Sequence, residues 1–299
     1  MNKRILVLIY ITAVILIGLT ACGSVWDLQI ADRIYIGETL SENIFGFVFS
    51  LIGIIPTFVG WSFLAASILR LAKKYEMGIT NRRWLVAFSI LLLILSYFYF
   101  SSTLYFSNAN TFKIHFIAAY TIGLVVVGAA ACLGYCLSGK CDDPDLLNKV
   151  LFLAVVSLVM LLIISVTKEI MCRPRFRFVL AMDDVGCYRN WWESGRALKE
   201  RFDTGTITDE FASFPSGHSA YSMFAIFIFP LIADYIGDDG NRKVYLFVLG
   251  FLWWAATAFS RMTTGAHYLT DVSIAGLVTI LVFSIVSAVR NACFVKKSL

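Results

Sequence analysis

Stretches without a single Asp, Glu, Lys or Arg do most to narrow the folds open to this sequence. They run over Ile5–Val25, Asn43–Leu69, Trp84–Phe112, Ile114–Gly139, Val150–Thr167, Phe211–Ala233, Val244–Phe259 and Val272–Val289. A bilayer core needs roughly 20 apolar residues of helix. In hydrocarbon, a helix satisfies its backbone polar groups within its own segment. With 59% hydrophobic and 15% charged residues and a mean hydropathy of +0.78, the composition excludes an ordinary soluble globular chain. The expected fold is an all-α polytopic membrane protein with about eight transmembrane helices. Pro56 falls inside the second run, where neighbouring helices must re-satisfy the freed carbonyl.

The charges between the runs orient the chain. The link after the second run holds Arg70, Lys73, Lys74, Arg82 and Arg83 against Glu76, whereas the link after the first holds Asp27, Asp32, Glu38 and Glu42 against Arg33. Basic short loops stay in the cytoplasm. Together with Lys3 and Arg4, this puts the N-terminus inside. Eight spans return the C-terminus, with Arg290, Lys296 and Lys297, to the same side. The first run also reads as a secretory segment, since Leu19-Thr20-Ala21-Cys22 resembles a lipoprotein cleavage box; the many spans that follow favour an uncleaved helix. Asp142-Asp143-Pro144 and Asp238-Asp239-Gly240-Asn241 read as inner turns, and His115 as an interfacial residue. The net charge of +5 is scattered in short clusters, which argues against nucleic-acid binding. The seven cysteines form no metal-ligand pattern, and Cys172 and Cys187, in one loop, are an open candidate for pairing.

Chemistry concentrates in three clusters at the outer boundary. The first is Lys168-Glu169-Ile170-Met171-Cys172-Arg173-Pro174-Arg175, at the end of the fifth run. The second, Pro215-Ser216-Gly217-His218, opens the sixth span. The third, from Ser260 to Asp271, holds Arg261, His267 and Asp271 between two apolar runs. If the last helix begins near His267, that imidazole and Asp271 stand one turn apart on one face. A carboxylate there can hold the proton on one ring nitrogen and leave the other as a lone-pair donor. Lys168, Arg175 and Arg261 bring three positive charges for a phosphoryl group, with arginine suited to bidentate contact. Ser216 and Gly217 at a helix start offer a hydroxyl, close backbone approach and free N–H groups. The first two motifs alone are weak and the third is moderately specific, and cations at a membrane boundary are often plain anchors. All three in order, on one side, point to a site.

Taken together, Lys168-x6-Arg175, Pro215-Ser216-Gly217-His218 and Ser260-Arg261-x5-His267-x3-Asp271 resemble the three-part signature of the type-2 phosphatidic acid phosphatase and vanadium haloperoxidase superfamily. The resemblance covers about residues 150 to 290. It implies a six-helix core over residues 84–290 with an outer loop at 168–213, preceded by two added helices in 1–83 and followed by a cytoplasmic tail at 291–299. The family usually has proline after the first-cluster arginine. Here Phe176 stands there and Pro174 precedes it, which leaves Arg173 and Arg175 as rival phosphate ligands; the spacing from Lys168 favours Arg175.

The resemblance further implies that His267 attacks phosphorus to form a phosphohistidine, with Asp271 orienting it. His218 then protonates the leaving oxygen and later activates water. No metal or other cofactor is expected, because fixed cations carry the charge stabilisation. The expected function is a lipid phosphate or diphosphate phosphatase of a bacterial-type cytoplasmic membrane, its site facing outside and its partner a membrane lipid. A phosphotransferase with the same site is a close alternative, and a transporter or silent scaffold a distant one. Transporters bury charges near the midplane within repeats, which this chain lacks. Trp191 and Trp192 read either as an interfacial belt or as part of a lid over the site.

Overall fold

The computed structural model describes residues 3–75, 78–108, 115–202, 208–237 and 240–295. Glu76, Asp238, Asp239, Lys296 and Lys297, which entered the sequence reading, lie outside the described residues. The elements are α1 (Lys3–Ile34), α2 (Ile44–Ile52), α3 (Ile55–Lys74), α4 (Ile79–Asn108), α5 (Phe116–Lys140), α6 (Leu146–Met171), α7 (Phe176–Met182), α8 (Arg196–Phe202), α9 (Gly217–Met223), α10 (Ala225–Ile236), α11 (Asn241–Thr263) and α12 (Leu269–Val295). Short 3₁₀ turns occupy Val185–Cys187 and Thr208–Phe211, and no strand occurs among the described residues. Among the described residues, eight stretches are long and apolar enough to cross a bilayer, so the chain is a multi-pass membrane protein.

Three boundaries differ from the sequence reading. The first helix runs on past Val25 to Ile34, with a non-helical residue at Trp26, so Asp27 belongs to α1 and not to a loop. The second span is broken: α2 ends at Ile52, and Pro56 stands in the first turn of α3, where its missing N–H costs nothing. The sixth span begins at Gly217 rather than Phe211, because 208–211 forms the 3₁₀ turn and Pro215-Ser216 lead into the helix.

The chain gathers into two compact units. One comprises Met1–Ser50, Leu158–Met223 and Trp254–Leu299, and the other Leu51–Ser157 and Phe224–Trp253. In the second unit, α3 packs along α4 and α5. A Cβ at Gly134 would collide with the Phe63 carbonyl, so this glycine sets the close approach of α5 to α3. Trp61, fully buried, donates to Ser157 Oγ at 2.7 Å, and Phe58 stacks on Tyr99 with centroids 5.1 Å apart.

The first unit is organised on the pairing of α1 with α12. Gly23 makes that approach possible, since a Cβ there would meet Thr270 Cγ2 at 2.8 Å. Farther along the same seam, Thr20 and Ser273 share a hydrogen bond of 2.9 Å. The loop after α1 is tied down by backbone donation from Ile36 to the Thr263 carbonyl (2.9 Å). Asn43 caps α2, accepting from Gly46 N–H at 2.7 Å, and donates to Thr263 Oγ1 at 3.0 Å. Cys172 and Cys187 are free thiols in one buried cluster with Phe178, Val179, Leu198 and Phe211.

Candidate active site

All three sequence clusters lie within the first unit, and each is held by a local device. After α6, Cys172 takes a left-handed conformation (φ 46), and Pro174 bars the helix from continuing. The chain leaves the helix extended and re-enters α7 at Arg175. Lys168, on the last turn of α6, donates to the Ala212 carbonyl at 2.6 Å. A hollow of about 320 Å³ is lined by Lys168, Glu169, Lys199, Asp209, Phe211 and Ala212.

The third cluster depends on how α11 ends. Gly265 N–H bonds the Met262 carbonyl and Ala266 N–H the Arg261 carbonyl, the paired closure that a left-handed residue makes possible at a helix end. Gly265 has φ +63, and a Cβ there would press on the Tyr35 ring at 2.9 Å, so no other residue fits. The reversal brings His267 back over the last turn, its N–H 3.2 Å from the Arg261 carbonyl. Helix α12 starts two residues beyond His267, at Leu269. His267 and Asp271 therefore meet across a helix entry rather than along one helix. Asp271 accepts the Tyr268 N–H at 2.8 Å, as an acidic residue in a first turn does.

The expected partner of His267 was Asp271, but the nearer one is Ser213. His267 Nδ1 lies 2.6 Å from the Ser213 carbonyl and 3.7 Å from Asp271 Oδ2. A carbonyl can only accept, so Nδ1 carries the proton and Nε2 keeps its lone pair. Burial, aided by the charges of Lys168 and Arg175 and opposed by Asp271, pushes the imidazole pKa down to about 3. At neutral pH His267 is an uncharged imidazole with one free nitrogen. Asp271 also accepts from Ser213 Oγ at 2.5 Å.

Arg173 and Arg175 have different surroundings. Arg173, fully buried, spends all five donors: Nε on the Arg189 carbonyl (2.8 Å), Nη1 on Thr270 Oγ1 (2.9 Å) and Asp271 (2.5 Å), Nη2 on Asp27 (2.9 Å) and Tyr188 (3.4 Å). It also lies over the Tyr268 ring, 4.2 Å from its centroid. No donor remains for a substrate. Arg175 donates through Nη2 to Asp209 at 2.8 Å, and its Nε is buried without a hydrogen-bond partner. Arg261 Nε is likewise buried and unsatisfied. Such orphaned donors are rare in native interiors and point to an anion. Lys168, Arg175 and Arg261 are close enough for their charges to act on one another.

In the second cluster, Ser216 Oγ accepts the Ser219 N–H at 3.3 Å and caps α9, keeping its own proton to donate. Its backbone N–H bonds the Asp271 carbonyl at 3.1 Å, which locks the second cluster to the third. Gly217 sits over the Lys168 side chain, where a Cβ would stand 3.6 Å from Cε. His218 Nε2 donates to the Ser50 carbonyl at 3.0 Å, and its ring is within electrostatic reach of Arg261, His267, Lys168 and Arg175.

Three contributors were not read from sequence. Ser213 acts through a backbone carbonyl, which no side-chain pattern reveals. Asp209 was one acid among several in a long loop; partial desolvation works to raise its pKa, but Arg175, then Lys168, outweigh it and hold the carboxyl below its usual range. Asp27 had a signal, since an acid continuing an apolar helix is seldom idle. Trp191 is pinned, donating to Ser24 Oγ at 2.9 Å and stacking on Phe214, while Trp192 stays exposed. His115 is exposed at the start of α5.

Residues 149–294 match the family model described as the PAP2 superfamily, consistent with the type-2 phosphatidic acid phosphatases. The match supports a phosphatase-type activity. No curated protein and no solved structure gives a match to the chain.

Proposed function

The chain belongs through residues 149–294 to the PAP2 superfamily, and on that premise we propose that it is a membrane lipid phosphate or diphosphate phosphatase working through a phosphohistidine. The observation that carries this reading is a neutral His267 with Nδ1 tied to Ser213, beside the unsatisfied guanidinium donors of Arg175 and Arg261. Lys168, Arg175 and Arg261 hold the phosphoryl oxygens, with the Ser216 hydroxyl and the backbone at Gly217 completing the cradle. His267 Nε2 attacks phosphorus in line, and the bond to the leaving oxygen breaks as His218 supplies its proton. The Nε2–H of His218 is committed to Ser50 in this structure, so this donation requires a second proton, on Nδ1, and giving it up leaves the neutral ring that serves as base in the next step. Water, deprotonated by His218, then displaces His267 and frees phosphate. Fixed cations supply the charge stabilisation, and the reaction needs no metal.

The lipid tails stay in the bilayer while the headgroup reaches the cations from the outer face of a cytoplasmic membrane, with both termini inside. Phosphatidate, phosphatidylglycerophosphate and polyprenyl diphosphate all fit this description. The test is phosphate release from these three lipids by detergent-purified protein in the presence of a metal chelator. Hydrolysis is expected, inhibited by orthovanadate and lowered by roughly 10⁴-fold or more in His267→Ala. Hydrolysis that survives this substitution removes the nucleophile, and hydrolysis abolished by the chelator removes the metal-free mechanism.

A further inference from the structure

Helix α1 lies outside the segment that matches the superfamily, yet one of its side chains reaches the interior of the site. Asp27 is 2% exposed and pairs with Arg173 Nη2 at 2.9 Å. It accepts the Thr270 N–H at 3.0 Å and also the Thr270 hydroxyl, so it caps the first turn of α12 from outside that helix. Arg173 in turn grips Asp271 at 2.5 Å, and Asp271 faces His267 at 3.7 Å. Four side chains thus form one line, Asp27–Arg173–Asp271–His267, buried from end to end. Gly23, one turn before Asp27, is bare because a Cβ would meet Thr270 Cγ2 at 2.8 Å and Asp27 Oδ1 at 2.9 Å.

We propose that Asp27 is a positioning residue for the phosphoryl transfer, sharing the Arg173 guanidinium with Asp271 and so keeping a net negative charge behind His267. The inference rests on the phosphohistidine reading above. When the Nε2–P bond forms and the P–O bond to the leaving group breaks, the imidazole ring gains positive charge. One guanidinium between two carboxylates carries a net charge of −1 and favours that change. One guanidinium with Asp271 alone is neutral and does not. The effect arises only as the ring becomes cationic, so it belongs to the transition state and not to ground-state binding.

The experiment is steady-state hydrolysis of the same three lipids by purified wild type and Asp27→Asn, with His267→Ala alongside and competition by inorganic orthovanadate as a measure of the cation cradle. The expected result for Asp27→Asn is a fall in kcat of about 10-fold or more, with KM and the vanadate constant held within about 2-fold. Should the single variant fail to fold, Asp27→Ser removes the same charge while its hydroxyl can still accept from the Thr270 N–H. The same selective loss of kcat is expected there. Wild-type kcat in either folded variant, or a rise in KM with kcat unchanged, overturns the role of Asp27 while leaving His267 as nucleophile. Wild-type protein that hydrolyses none of the lipids, or His267→Ala that hydrolyses them normally, overturns the phosphohistidine reading and this inference with it.

Discussion

The Nδ1 of His267 donates to the backbone carbonyl of Ser213 at 2.6 Å, closer than its 3.7 Å contact with the Asp271 carboxylate. A main-chain group that no substitution removes therefore holds the reactive tautomer. Where a carboxylate alone fixes the tautomer, its amide variant costs about 10⁴-fold in kcat. Here Asp271→Asn is expected to cost only on the order of 10²-fold, through lost charge. A single-turnover phosphorylation assay measures this directly, and a 10⁴-fold loss would return the tautomer to Asp271.

The two arginines of the first cluster should fail differently. Arg173→Ala strands the buried carboxylates of Asp27 and Asp271, a defect that typically costs about 3–5 kcal/mol of stability. Arg175→Ala loses a pair with an Asp209 side chain that is 73% exposed, and such surface pairs contribute about 0–1 kcal/mol. Its penalty should fall on activity. Thermal unfolding in detergent beside phosphate release separates the two outcomes.

Asp209 sits where a phosphate would compete for Arg175. The Asp209→Asn variant should bind orthovanadate more tightly, by about 3- to 10-fold, because a carboxylate no longer offsets the cations. The gain should shrink as salt is raised. An unchanged inhibition constant at low salt would mean that Asp209 stays out of the anion's way.

Stability should depend on pH through His267. Its pKa is about 3 in the fold against an ordinary 6.5, so the unfolded chain takes up a proton that the fold refuses. Stability is therefore lost as pH falls below about 6.5, by about 1.4 kcal/mol per unit for this one group, until about pH 3. His267→Gln removes the effect. Its unfolding midpoint in detergent should decline less steeply than wild type between pH 6 and pH 4.

Much of this protein was legible from spacing alone. Runs without charge predicted eight spans, and eight appear, because a helix in hydrocarbon must be long and apolar whatever it packs against. The gathering of Lys168, Arg175, His218, Arg261, His267 and Asp271 was legible because a charge at a membrane boundary needs a reason to be there. Helix ends were less so. The run of α1 past Val25, the break before Pro56 and the late start of α9 go with polar contacts to residues far away in sequence, Asp27 to Thr270, Gly53 to Trp253 and Ser216 to Asp271.

The sequence by itself determined the class of molecule and the chemical types at its site, since hydrophobic length and charge are properties of the residues themselves. Which arginine keeps an unpaired donor and which is buried as a strut was decided only in the tertiary structure. The same holds for which oxygen grips His267 and for the reach of Asp27 from α1. The physical reason is that a guanidinium or imidazole bonds to whatever partner the packing brings within about 3 Å, and Ser213's carbonyl is not near His267, nor Asp27's carboxylate near Arg173, until α1, α12 and the loops before α7 and α9 have come together.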